Sequence, residues 1–151
     1  MTLMDNVVTL SSRELADRLR PALVRLAREL RQETEQLGVT ARQAALLWHV
    51  RRRPGLSLRE LAAEDGISGP ALSGHVDRLE RAGLVRRVRS EDDRRRVGLE
   101  LTAEGARLLR RIRARRTTWL AERIEALPPG EAAALERAVA PLWELLGVTP
   151  R

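Results

Sequence analysis

Apolar residues recur every three or four positions along most of this chain, and the interval shrinks to two at one place, just past Gly83. Four helical patterns precede that place. The first opens where Ser11 and Glu14 have the spacing of a reciprocal cap, and runs to about residue 37 with Leu15, Leu19, Leu23, Leu26 and Leu30 as its stripe. Pro21 falls inside it, which predicts a bend or a short break. Past Gly38, Thr40 caps a second helix carrying Ala44, Leu47 and Trp48, and the run from Arg51 to Pro54 stops it. Ser57 and Glu60 repeat the cap spacing for a short third helix with Leu58, Leu61 and Ala62 on one face, ended by Asp65 and Gly66. Ser68 caps the fourth, Pro70 sits in its first turn where a missing amide costs little, and Leu72, Val76 and Leu79 turn inward.

Beyond Gly83 the pattern reads as a strand over 84–90, a charged loop, and a returning strand over 97–101 with Val97, Leu99 and Leu101 on one face. Thr102 then caps a long helix to about residue 127, marked by Leu108, Leu109, Ile112, Trp119, Leu120, Ile124 and Leu127. Pro128 and Pro129 end it. A last helix over 130–146 shows Leu135, Val139, Leu142 and Leu146, with Pro141 interrupting the pattern. The expected fold is mainly α with a small β wing: a winged helix-turn-helix over 40–101, flanked by an N-terminal helix over 11–37 and C-terminal helices over 102–147. Neither flank can bury its stripe alone, so a homodimer in which the two flanks form the dimerisation lobe is expected.

The face of the fourth helix opposite its apolar stripe carries Ala71, Gly74, His75 and Arg78, with Ser73 beside it. Small residues near a helix N-terminus allow close approach to a groove, and the free amides there favour a phosphate. The hairpin adds Arg86, Arg87, Arg89, Arg94, Arg95 and Arg96 against Glu91, Asp92 and Asp93. Such a hairpin can lay arginines into a minor groove or along a phosphate backbone, the alternative being a solvated charged loop. Asp93 is read either as a brace for the loop through Arg95 or as a solubilising charge.

The run LSGHVDRLERAGLVRRVRSEDDRRRVGLELTAEG resembles the MarR family of winged helix-turn-helix transcriptional regulators. The resemblance implies a recognition helix over 68–82 that meets double-stranded DNA through Ser68, Pro70, Ala71, Ser73, Gly74, His75 and Arg78. It also implies a wing shaped by Asp93, with Arg95 as its DNA arginine and Arg94 and Arg96 as neighbours on the duplex. Many relatives carry an arginine where this chain has Gly74, so one direct contact is missing at that step. Regulators of this kind often take a small aromatic or phenolic acid effector between the dimer lobe and the reading lobe. The matching lining here is Trp48, His49, Arg52, Leu108 and Ile112, the alternative being a filled core with Trp48 as a packing residue.

The net charge of +7 favours a polyanionic partner, and every one of the 28 basic residues is arginine, which suits bidentate contacts to phosphate and guanine. The absence of cysteine excludes a thiol sensor, a disulfide framework and cysteine-ligated zinc. No apolar run reaches the ~20 residues of a membrane span, so a cytoplasmic protein without a membrane partner is expected. His49 and His75 have no acid at triad or metal spacing in the sequence, so an enzyme, a metal site and a cofactor are not expected. Arg107, Arg110, Arg111, Arg113, Arg115 and Arg116 are read either as phosphate contacts near the hairpin or as partners, across a dimer, for Glu122, Glu125, Glu131 or Glu136. The expected function is a sequence-specific transcriptional regulator, a repressor on an inverted-repeat operator. The alternatives are a non-specific nucleic-acid or chromosome-organising module, or a winged-helix protein-interaction adaptor.

Overall fold

The computed structural model describes residues 10–89 and 96–148. Helix α1 (Ser12–Glu35) starts on the Ser11 capping box, in which the Glu14 amide reaches Ser11 Oγ while the Glu14 carboxylate takes the Ser11 amide. It continues through Pro21 without the short break that is one of the two outcomes the sequence predicts there. The reason lies in exposure: the carbonyl of Asp17, which loses its partner at Pro21, sits on the solvent side and can be hydrated. Helix α2 (Ala41–Arg52) starts on a second capping box, Thr40 with Gln43. Helix α3 (Leu58–Asp65) starts on a third, Ser57 with Glu60, and ends at Gly66, whose φ of 62° no β-carbon hinders. Helix α4 (Gly69–Arg81) follows after two residues.

Strands β1 (Val85–Arg89) and β2 (Val97–Leu101) pair antiparallel, with Val85 opposite Leu101 and Arg89 opposite Val97. The chain just before α3 acts as a third strand. Gly55 donates its amide to the Leu99 carbonyl at 2.9 Å, the Leu99 amide donates to Leu56 at 3.2 Å, and Ser57 bridges Gly98. Gly98 is buried by this contact although alternation places it on the outer face. A β-carbon there would lie 2.3 Å from the Gly55 carbonyl oxygen, so the third strand requires glycine.

Helix α5 (Ala103–Glu125) is capped by Thr102, which accepts the Gly105 amide and donates to the Gly83 carbonyl at 2.6 Å. One hydroxyl thereby ties the start of α5 to the turn that ends α4. Leu46, Leu47, Leu61, Leu72, Val76, Leu79, Leu99, Leu109 and Ile112 close a single core from α2, α3, α4, the wing and α5. The C-terminal half of α1 is fastened to α5 by polar contacts. Arg116 Nε donates to Thr34 Oγ1 at 2.8 Å and to the Leu30 carbonyl at 3.2 Å, and Arg115 binds Glu33 at 2.8 Å as well as Gln36. Within the chain, Arg115 thus has its acid on α1. Helix α6 (Pro129–Leu145) has no side-chain cap and continues through Pro141, and none of its residues is buried among the described residues. No helix among the described residues is long and apolar enough to cross a membrane.

Candidate nucleic-acid interface

The sequence sorts α4 into two faces, and the packing follows. Leu72, Val76 and Leu79 are closed into the core at the i, i+4, i+7 spacing, which turns Pro70, Ala71 and Arg78 to solvent and leaves Ser73, Gly74 and His75 half-buried. Ser68 Oγ accepts the Ala71 amide at 3.3 Å and is itself exposed. No heavy atom lies within 4 Å of where a β-carbon on Gly74 would stand, so the helix surface is flat there by choice of residue rather than by crowding.

Arg78 Nη2 lies 3.2 Å from His75 Nδ1. A guanidinium only donates, so Nδ1 must accept, and the remaining proton of a neutral His75 sits on Nε2. Burial, followed by the positive charges of Arg78 and Arg42, pushes the His75 imidazole below its ordinary value against a smaller opposing pull from Asp65. His75 therefore offers a neutral ring with one donor, beside an arginine.

The hairpin arginines divide into two groups. Arg86 binds Glu100 across the strands at 2.6 Å, and Arg87 reaches back to α4, holding Asp77 at 2.6 Å and also Glu80. The hydrogen bond that Arg87 donates to Asp77, aided by Glu80, holds its guanidinium above its ordinary value. These two side chains fix the hairpin to itself and to α4. Arg96, at the root of the returning strand, pairs with Glu60 at 3.1 Å, and Arg89 is exposed. Asp93, Arg94 and Arg95 lie outside the described residues.

The residues expected to line an effector site are placed differently from one another. Leu108 and Ile112 are 5% and 0% exposed and belong to the core. Trp48 packs against that core with the Arg51 guanidinium 5.4 Å from its ring centre, and Arg52 is exposed. His49 faces two carboxylates, Glu64 at 3.5 Å from Nδ1 and Asp65 at 3.3 Å from Nε2. The sequence shows no acid near His49. Only the tertiary fold brings the C-terminal end of α3 beside that of α2, and the acidic end of the one beside the basic end of the other is the signal that was available. No group of three or more histidine, cysteine, aspartate or glutamate side chains arranged to hold a metal ion occurs among the described residues.

A family model described as MarR family matches residues 37–96, the span from α2 to the root of β2. An HTH-type transcriptional regulator of Mycobacterium leprae, ML2140, is 29% identical over 140 residues, 93% of this chain and 98% of the relative. The chain is similar to the MarR family of transcriptional regulators. FarR, an HTH-type transcriptional regulator of Neisseria gonorrhoeae, is 36% identical over 87 residues, 58% of this chain and 60% of FarR's own length. The MarR fold is shared with a mutant of Staphylococcus aureus MepR bound to an oligodeoxyribonucleotide, which superposes with a TM-score of 0.68 at 21% identity over 91% of this chain and 99% of that one. MarR relatives regulate transcription rather than catalyse reactions, and this chain is a DNA-binding winged-helix regulator of that kind.

Proposed function

We propose that the chain works as a homodimer that reads an inverted-repeat duplex and represses the promoter it covers. What supports this above all is the outward face of α4, capped at Ser68 and kept small at Ala71, Ser73 and Gly74, standing beside an arginine-bearing wing clamped to it through Arg87. In this reading α4 enters the major groove, with Pro70, Ala71, Ser73, His75 and Arg78 toward the bases. The wing carries Arg94, Arg95 and Arg96 to the backbone or minor groove, with Asp93 bracing its tip. Leu15, Leu23 and Val24 of α1 and Leu135, Val139 and Trp143 of α6 are 38–61% exposed, and a second copy is the proposed cover. Two-fold pairing would set two α4 helices about 34–36 Å apart, one turn of DNA.

The test is a shift assay with genomic fragments at controlled salt, followed by footprinting. One preferred fragment with a protected inverted repeat is expected, and uniform binding to all fragments would sink the proposal. Gly74 and the net charge favour a second reading, a sequence-blind nucleic-acid module, and that uniform outcome is what it predicts. Release by a small aromatic acid is part of the same proposal. Because Leu108 and Ile112 are sealed, such an acid would enter beside Trp48 and His49 with Arg52 for its carboxylate, and a hydroxybenzoate that loosened the bound fragment would support it.

A further inference from the structure

One ion pair in the reading lobe joins a helix cap to a DNA-facing arginine. Arg96 Nη2 lies 3.1 Å from Glu60 Oε2, with the two side chains 56% and 46% exposed. The same carboxylate oxygen accepts the Ser57 amide at 2.9 Å and the Ser57 hydroxyl at 2.6 Å. Glu60 therefore completes the cap of α3 and holds Arg96 with one group. Its position is set by backbone, because the Gly55 and Leu56 hydrogen bonds to Leu99 and the Ser57 bridge to Gly98 fix the start of α3 against β2.

We propose that Glu60 is an internal competitor for the phosphate that Arg96 would otherwise hold, and so sets the affinity and salt dependence of DNA binding. The proposal rests on the DNA-binding reading above. A guanidinium engaged with a carboxylate has fewer donors for a phosphate oxygen, and once Arg96 turns to DNA the Glu60 carboxylate is left facing a polyanion without its cation. Every binding event must break one contact and bring together two like charges. Arg86 and Arg87 are also paired, but with acids of the opposite strand and of α4 that keep the wing in shape. Arg96 borders the wing tip and is paired with an acid whose cap a neutral glutamine can also close.

That last point makes the test clean, since glutamine at the third helical position also closes a capping box. The full chain and its Glu60→Gln variant are titrated with a random-sequence duplex of about 30 base pairs, between about 50 and 200 mM salt, by fluorescence anisotropy. Thermal unfolding of each is followed in parallel. Glu60→Gln is expected to bind about two- to fivefold tighter at the lowest salt. Its plot of log affinity against log salt should be steeper by up to about 0.9, and it should still unfold in one cooperative transition, slightly below the parent chain. In an Arg96→Gln background the gain from Glu60→Gln should shrink at least by half. Equal gains with and without Arg96, or no gain at all, would overturn the inference alone. A wild-type chain that bound no duplex at any salt would overturn it together with the reading it rests on.

Discussion

Among the described residues every buried hydrophobic side chain falls between Val39 and Ile112, and every large exposed one falls outside that span. The two regions have similar apolar stripes in the sequence, yet only the first finds cover within its own chain. In the reading lobe α2, α3, α4, the wing and the first turns of α5 meet around one core, and charged contacts such as Arg87 with Asp77 and Arg86 with Glu100 act at its edge. In α1 and α6 the order is reversed. Polar contacts such as Arg116 with Thr34 hold α1 to α5, while Leu15, Leu23 and most of α6 stay open. The contrast teaches that the same periodicity encodes folding in one place and, in the other, an open apolar face that the proposed dimer would cover.

The sharpest way to break that comparison is to make one substitution in both regions. Leu61 is 0% exposed and Leu145 is 73% exposed. Leu61→Ala is expected to destabilise the chain by about 2–5 kcal/mol in urea unfolding, as the transfer and cavity terms add. Leu145→Ala should stay within about 0.5 kcal/mol when measured at a concentration where the chain is monomeric. A large loss at Leu145 under that condition would mean that α6 folds onto its own chain.

Next in size is the effect of a charge on the open face. Val139→Glu, at a position 52% exposed, should leave the melting of the reading lobe unchanged. It should weaken self-association at least about a hundredfold in sedimentation equilibrium, the equivalent of about 2.7 kcal/mol. Unchanged association would place the partner surface elsewhere and remove the two-fold reading of DNA with it.

How much of this was legible follows the same division. The caps at Ser11, Thr40, Ser57, Ser68 and Thr102, the inward turn of Leu72, Val76 and Leu79, and the two-strand wing are local patterns, and they can be read from spacing alone. What could not be read depends on distant backbone. Gly98 is buried because Gly55 lies on it, His49 meets Glu64 and Asp65 because the end of α3 comes beside the end of α2, and Arg115 finds Glu33 from 82 residues away. Charged side chains were the least legible. Arg86, Arg87 and Arg96 read as free groove contacts in the sequence, and each has an acid within 3.1 Å in the fold.

A smaller effect separates crowding from choice within the reading lobe. Gly74 sits in mid-helix with open space around its missing β-carbon, so Gly74→Ala should stabilise the chain by about 0.5–1 kcal/mol in urea unfolding. Gly98→Ala, facing the Gly55 carbonyl at 2.3 Å, should do the opposite. If Gly74→Ala nevertheless weakens binding to the preferred fragment, the flat surface of α4 serves the groove rather than the fold.

The smallest effect concerns protons, and it distinguishes the recognition helix from the caps. His75 is held below the ordinary imidazole value of 6.5 in the folded chain. Its contribution to stability is therefore present above that pH and is lost as the pH falls through the folded-state value. The Glu14 and Glu60 carboxyls, lowered first by their Ser11 and Ser57 partners, act in the same direction in a more acid window, below the ordinary value of 4.5. Imidazole nitrogen–proton correlation spectra should show His75 with its proton on Nε2 at neutral pH and a midpoint below 6.5. Arg78→Ala should raise that midpoint, because it removes both a donor to Nδ1 and a like charge. A midpoint unmoved by Arg78→Ala would leave burial as the cause and would detach His75 from its neighbour as a paired reader of the groove.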